Sequence, residues 1–410
     1  MNKKQKKRKS GSILVLVLLV VLVSFIIGTG LMSLGTQSRI ATINQVQDMM
    51  ARSAADSGLE RVVQEINNAV IEKAWSASVE PCVNNAALPY TDATYSIQTQ
   101  YDPADGYSIV SVGTDRNRTR TVNAKLRLKG LFENAIQCRN GVTLKSGVVI
   151  DTIDSTISLD PADCTDKTVV GTNSIVADQV ILNGGVVING DVVVGFGGDT
   201  GTVIKDLGAT YDRSYSLTTP VEFPPVSAPS LFGPDTQISA KKAEKTIGPG
   251  GDYPAMGRFS GISLGTGGTL RVIGDCTIYI TGDVDMGNGT EIILDETKNA
   301  KLTVYLDGDW LADNDAGVNN VAKKPSNFKL FGTGSAGQEI DFKAKGDFYG
   351  VVYAPNADMT LFAKGDVYGS FVTNNFEAKS SSKFLYDVSL KTISVTDEGA
   401  RFVVSRWCEQ

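Results

Sequence analysis

Histidine is absent from all 410 residues. Its absence removes Ser-His-Asp and Cys-His machinery and every imidazole metal site. Cysteine is sparse: Cys82, Cys138, Cys164, Cys276 and Cys408 stand far apart without CxxC spacing, which argues against a zinc cluster. In an oxidising compartment they allow one or two disulfides with a thiol left over, and Cys138 with Cys164 is the first pairing to expect. Proline is missing before Pro81, and Met1 to Gly11 (MNKKQKKRKSG) holds six Lys/Arg and no acid. Charge of either sign is missing from the 21 residues Ser12 to Met32.

That uncharged run, SILVLVLLVVLVSFIIGTGLM, reaches ~31 Å as a helix, about one hydrocarbon core. The basic stub before it favours the cytoplasmic side and leaves everything after Met32 outside. An ordinary secretory signal carries its small residues after the apolar region; here Gly11 comes immediately before it, so a cut would precede the membrane helix. From Arg39 to Ile71, Ile40, Ile43, Val46, Met50, Ala54, Val62, Val63, Ile66 and Val70 recur mostly at spacings of three or four. The span is therefore expected to continue as one long amphipathic helix, with Ser57-Gly58 its weak point because interior Gly costs about 1 kcal/mol against Ala.

The basic leader ending in Gly11, the apolar stretch from Ser12 and the segment Ala54-Ala55-Asp56-Ser57-Gly58-Leu59-Glu60 resemble the N-terminus of type IV pilin-like proteins, specifically PilX-type minor pilins. The resemblance covers about residues 8 to 70. It implies cleavage by a prepilin peptidase between Gly11 and Ser12 and a methylated amine on Ser12. Major pilins carry Glu at the fifth mature position, where this chain has Leu16. That departure implies a tip or priming subunit, similar to K-type pseudopilins of type II secretion, rather than the repeating one.

After the helix, ATYSIQTQ, GYSIVSVG and RTVNAKLRL alternate polar and apolar residues, with Asp102 to Gly106 as a turn, which predicts an antiparallel meander. Beyond Asn140 the texture changes. Short runs such as Val148-Val149-Ile150, Ser174-Ile175-Val176, Val180-Ile181-Leu182, Ile278-Tyr279-Ile280 and Val304-Tyr305-Leu306 recur between Gly, Asn and Asp, and Gly-Asp pairs begin at Gly190, Gly274, Gly282, Gly308, Gly346 and Gly365. Gly346-Asp347-Phe348-Tyr349-Gly350 returns nineteen residues later as Gly365-Asp366-Val367-Tyr368-Gly369. That interval suits one coil of a parallel β-solenoid, with a β-sandwich as the alternative. Seven of the thirteen prolines fall between Pro220 and Pro254, which marks an excursion over the coil surface. Residues Phe348 to Leu390, including YGVVYAPNADMTL and GDVYGSFVTNNFEAK, also resemble a domain of unknown function found behind PilX-like N-termini in large bacterial pilin-like proteins. Phe402 to Trp407 read as a last strand carrying a packed aromatic.

Carboxylates are the remaining chemical resource. Asp283 with Asp285, or Asp307 with Asp309, would supply a glycosidase-type pair, yet Asp beside Gly is ordinary turn chemistry. Asp307, Asp309, Asp313, Asn314 and Asp315 cluster oxygens that would suit calcium, with Asp283, Asp285 and Asn288 a second group; neither follows EF-hand spacing. Without the leader's six cations, 33 Lys/Arg face 45 Asp/Glu, a net charge of -12 that argues against nucleic acid as a partner.

The expected class is α+β: a long helix with a small antiparallel sheet, then a mainly parallel β-solenoid. The expected parts are a leader at 1–11, membrane and amphipathic helix halves at 12–32 and 33–72, a meander at 73–130, a solenoid at 131–395 with an excursion at about 206–256, and a tail at 396–410. The expected function is non-catalytic: a minor pilin or pseudopilin of a type IV pilus or type II secretion-like filament. It would sit in the inner membrane by a single pass with its head in the periplasm, then move to a surface filament. Its partners would be other pilin subunits, the prepilin peptidase, and a surface or glycan ligand on the head, with no cofactor beyond a calcium ion. The alternative is a membrane-tethered β-helix enzyme acting on extracellular polysaccharide.

Overall fold

The computed structural model describes residues 12–379 and 381–409. Two compact units divide the chain: residues up to Leu128 together with those from Phe402 onward, and Lys129–Arg401.

In the first unit, helix α1 runs unbroken over Ser12–Ile71, 60 residues or ~90 Å. It ends as Lys73 turns into the left-handed region (φ 54), where its amide still bonds the carbonyl of Val70. Strands β1 (Val83–Ala87), β2 (Thr94–Asp102), β3 (Gly106–Asp115) and β4 (Arg118–Lys129) follow in order, each antiparallel to the one before. The C-terminal strand Arg401–Glu409 adds beside β4. The packed aromatic of that strand is Phe402, which meets Trp75, Tyr101 and Tyr107 in one cluster, whereas Trp407 is exposed.

The second unit is mostly β, and every pairing between its named strands is parallel. Strands from successive stretches stack in ladders: Met256–Phe259 on Asp275–Ile280, that on Lys301–Leu306, then Phe328–Gly332 and Phe348–Ala363. The nineteen-residue repeat lies in register with itself, Tyr349 opposite Tyr368 and Gly350 opposite Gly369, and the two tyrosine rings stack at 4.3 Å. Val187–Val194, Phe348–Ala363 and Val367–Ala378 each run from one ladder into the next. As a result six strands, Ile136–Cys138, Thr168–Thr172, Val187–Val194, Val149–Ile153, Lys383–Asp387 and Val367–Ala378, close a ring of parallel pairs.

The order of layers is not the order of the chain. Phe371–Thr373 pairs with Ile136–Cys138, so the last layer of this unit lies on its first. From there the chain climbs to an end at Thr210–Ser216, crosses to the opposite end at Gln237–Lys241, and returns layer by layer to Lys383–Asp387. Residues 217–236 make the crossing without a strand. Twenty residues of extended backbone reach ~60 Å, and about ten layers at ~4.8 Å occupy ~45 Å, so the segment is long enough. It lies on a stripe of Tyr305, Phe331, Tyr353 and Val372, onto which Phe223, Val226 and Ala228 pack. Tyr353 donates its hydroxyl to the Pro224 carbonyl at 2.7 Å, and Arg258 holds Asp235 through Nε and Nη2 at 2.6 and 2.8 Å. The Pro-rich excursion is therefore narrower than 206–256, because strands occupy both of its expected margins. Inside the stack, Trp310, Phe328, Phe342, Phe348, Phe371 and Phe376 form a continuous run of buried rings.

Three further expectations are corrected. Ser174-Ile175-Val176 is a bend with Ile175 and Val176 exposed, because Thr172 Oγ1 and Ser174 Oγ accept amides from the next turn and end the strand. Ser57-Gly58 does not weaken α1: a Cβ on Gly58 would sit 2.6 Å from Ser111 Oγ and 2.9 Å from the Tyr95 ring, so Gly permits close packing there. All five cysteines are free. Cys138 points into the core and shares a 3.4 Å contact with Thr373 Oγ1, with its thiol pushed up to about 12 by burial, while Cys164 lies on a half-exposed loop.

The repeat yields a paired test. A Cβ on Gly369 (φ 148) would lie 1.8 Å from the Gly350 carbonyl oxygen, whereas one on Gly346 would meet nothing within 4 Å. Gly369→Ala should cost more than about 3 kcal/mol in denaturant unfolding, and Gly346→Ala less than about 0.5. Equal costs would contradict the register.

Candidate functional site

Helix α1 presents two different surfaces along its length. Ile13 through Leu34 is apolar and exposed, from 75% at Ile13 to 63% at Leu34, and Ile40, Ile43, Val46 and Met49 continue that exposure. The helix is long and apolar enough to cross a membrane. Two of its threonines bond back to the helix: Thr29 Oγ1 donates to the carbonyls of Phe25 and Ile26, and Thr36 Oγ1 to those of Met32 and Ser33, each within 3.1 Å. From Ala51 onward the apolar stripe is covered. Ala51, Ala54, Ala55, Leu59, Val62, Ile66 and Val70 are buried, and this half of the helix packs on β2 and β3, where Tyr95, Ile97 and Ile109 are buried too.

Small residues set that approach. A Cβ on Gly113 would fall 2.0 Å from the Ala51 carbonyl oxygen, and Ser111 Oγ donates to the Ala55 carbonyl at 2.7 Å. Arg61 Nη1 donates to Tyr95 Oη at 3.0 Å, and Arg118 and Arg120 both approach Asp48. Asn67 clamps the C-terminal strand through its side chain, donating from Nδ2 to the Phe402 carbonyl at 3.0 Å and accepting the Phe402 amide on Oδ1 at 2.7 Å. No sequence signal pointed to Asn67, since its partner lies 335 residues away.

Leu16 lies in the exposed apolar half, and Ser12 opens the helix. Gly11 and the basic leader lie outside the described residues. The four aspartates expected around calcium are engaged separately. Asp307 accepts hydroxyls from Tyr279 (2.5 Å) and Thr333 (2.6 Å), Asp309 accepts the Glu339 amide at 2.8 Å, and Asp315 pairs with Lys364. Asp313 is exposed in a turn closed by the Ala316 amide. Among the described residues no group of three or more acidic or thiol side chains is placed to hold a metal ion. Asp283 Oδ1 accepts the Asp309 amide and Asp347 Oδ1 the Asp366 amide, so these Gly-Asp carboxylates bridge one layer to the next. Asp285 faces outward opposite Leu311.

Residues 267–393 match a family described as a domain of unknown function (DUF7305). No curated protein matches the chain. Among solved structures, the competence-associated pilin ComZ from Thermus thermophilus is similar at a TM-score of 0.25 and 12% identity, over 89% of this chain and 97% of that one, a likeness too loose to define a shared fold.

The Asn67 clamp predicts a local effect. Two lost hydrogen bonds at about 1 kcal/mol each should raise amide exchange at Phe402 about thirtyfold in Asn67→Ala. Unchanged protection of Phe402 would mean that the strand is held by its aromatic contacts alone.

Proposed function

We propose that this chain is a minor subunit of a type IV pilus or type II secretion-like filament, held in the inner membrane by the first half of α1 before assembly. One observation carries the reading: a single unbroken helix is bare and apolar from Ile13 to Leu34 and packed on its own antiparallel sheet from Ala51 onward. A bare apolar surface of that length is costly in water, so it needs lipid or other apolar helices around it. The same half-helix meets both needs in turn, first in the bilayer and then against neighbouring subunits.

The leader supports the same reading. Prepilin peptidase cutting between Gly11 and Ser12 would remove the six cations and free the Ser12 amine for methylation. At the fifth mature position, Leu16 brings no carboxylate to neutralise a neighbour's amine in a low-dielectric setting. This favours few copies, at the tip or in priming, over a repeating role. The second unit we read as a β-solenoid entered at its middle, non-catalytic, with the carboxylates of Asp283, Asp309 and Asp347 taken up in layer-to-layer bonds. Its place would be the periplasm before assembly and the cell surface afterward.

Two measurements test this. Intact mass of the protein from cells with an active prepilin peptidase should show a chain starting at Ser12 with a methylated amine; retention of Met1 to Gly11 would overturn the processing. Quantitative mass spectrometry of sheared filaments should find this chain far below the dominant subunit, and finding it dominant would make it a major pilin despite Leu16.

A further inference from the structure

Residues 217–236, which carry the chain from one end of the stack to the other, are the longest stretch without helix or strand among the described residues. The segment is held unevenly. Near its start, Asn173 accepts the Val221 amide at 3.1 Å and donates to the Val221 carbonyl at 2.6 Å, Arg401 pairs with Glu222 at 3.1 Å, and Tyr353 bonds the Pro224 carbonyl. Near its end, Arg258 holds Asp235. Between these anchors, Pro229 to Phe232 form no hydrogen bond or ion pair with the described residues of the stack. The Leu231 amide turns back to the Pro229 carbonyl at 2.7 Å, while the Phe232 side chain is 94% exposed.

An endoprotease takes its substrate as an extended segment whose backbone pairs with the enzyme, so residues already paired in a ladder or closed in a turn must first open. Other exposed aromatic residues meet that obstacle. Phe196, 59% exposed, lies in a turn closed by the Gly195 amide on the Ser174 carbonyl at 3.0 Å and the Gly198 amide on the Gly195 carbonyl at 2.9 Å. Tyr90, fully exposed, lies in one closed by the Leu88 amide on the Ala93 carbonyl at 2.8 Å. Phe232 joins an accessible apolar side chain to unpaired backbone, and Pro229 and Pro234, with no amide to pair, keep that backbone out of any ladder.

We propose that the crossing segment is a proteolytic processing site, cut between Leu231 and Phe232 by an endoprotease whose pocket takes a large apolar side chain on the amine side of the bond. Water adds across the peptide bond, leaving a carboxylate on Leu231 and an amine on Phe232. The two pieces stay together. Across the joint between them the Asn140 amide bonds the Asn374 carbonyl at 2.8 Å and the Phe376 amide the Gly141 carbonyl at 2.9 Å, and one buried core runs through both. The Pro224 carbonyl, on the first piece, also keeps its bond to Tyr353 on the second. The product is therefore a two-piece unit rather than a shed fragment. The assignment goes beyond the filament reading and does not depend on it.

Thermolysin, which cuts on the amine side of large apolar residues, is the probe, applied to the full chain in detergent micelles. Sequencing of the new amine should begin at Phe232, with two bands under denaturing electrophoresis and one peak at the uncut position in size exclusion. Phe232→Ser should slow cutting of this bond about tenfold or more with an unchanged melting curve, because the side chain lost is exposed. Phe196→Ser should leave the rate unchanged. A first cut elsewhere in the second unit, equal rates for Phe232→Ser and the wild type, or pieces that part in size exclusion would overturn the proposal. The readout involves no filaments, so its failure leaves the filament reading standing.

Discussion

Backbone hydrogen bonds between Phe371–Thr373 and Ile136–Cys138 are the contacts on which the second unit depends. The Phe371 amide reaches the Ala135 carbonyl and the Arg139 amide the Thr373 carbonyl, each at 2.9 Å, across more than 230 residues of chain. Side chains reinforce the seam: Ser370 Oγ donates to the Asn134 carbonyl at 2.5 Å, Tyr386 Oη to that of Phe132 at 2.7 Å, and Asp387 accepts the Ser155 amide at 3.1 Å. Without this joint the unit would be two shorter stacks joined by a strap, each with an extra open end. With it, one buried column of side chains runs through both halves, and every inner layer has neighbours above and below.

Much of the first unit was legible because its signals are local. Helical spacing, the absence of proline and period-two alternation predicted α1 and three strands of the sheet to within a few residues. Strand β1 was missed because VNNAA carries little apolar alternation, and its Asn85 adopts φ 54 at an irregular pairing. The nineteen-residue repeat marks one layer pair, in which Gly350 lies opposite Gly369, while the layers before it are offset by 21 to 26 residues. The layer order could not be read in the same way. Nothing near Ile136 or Phe371 records that they pair, because parallel register over such a separation is set by the whole stack rather than by neighbours in sequence.

The candidate sites divide similarly. The exposed apolar half of α1 is written in composition and needed no structure to be seen. The aspartates looked like a calcium set because they are close in sequence, but Asp307, Asp309 and Asp315 turn to different partners, Thr333, Glu339 and Lys364.

The seam also orders events in time. At roughly 5–20 residues per second, synthesis of the roughly 230 residues between its two sides takes about ten to fifty seconds. Throughout that interval the layer beginning at Ile136 has no partner on one side, and long-range parallel pairing is slow to form in any case. An unpaired edge invites association with other chains, and one defence is brevity. The two leading strands of that waiting layer, Ile136–Cys138 and Val142–Leu144, have three residues each. The layer that must wait longest for its neighbour thus offers little for a foreign strand to grip.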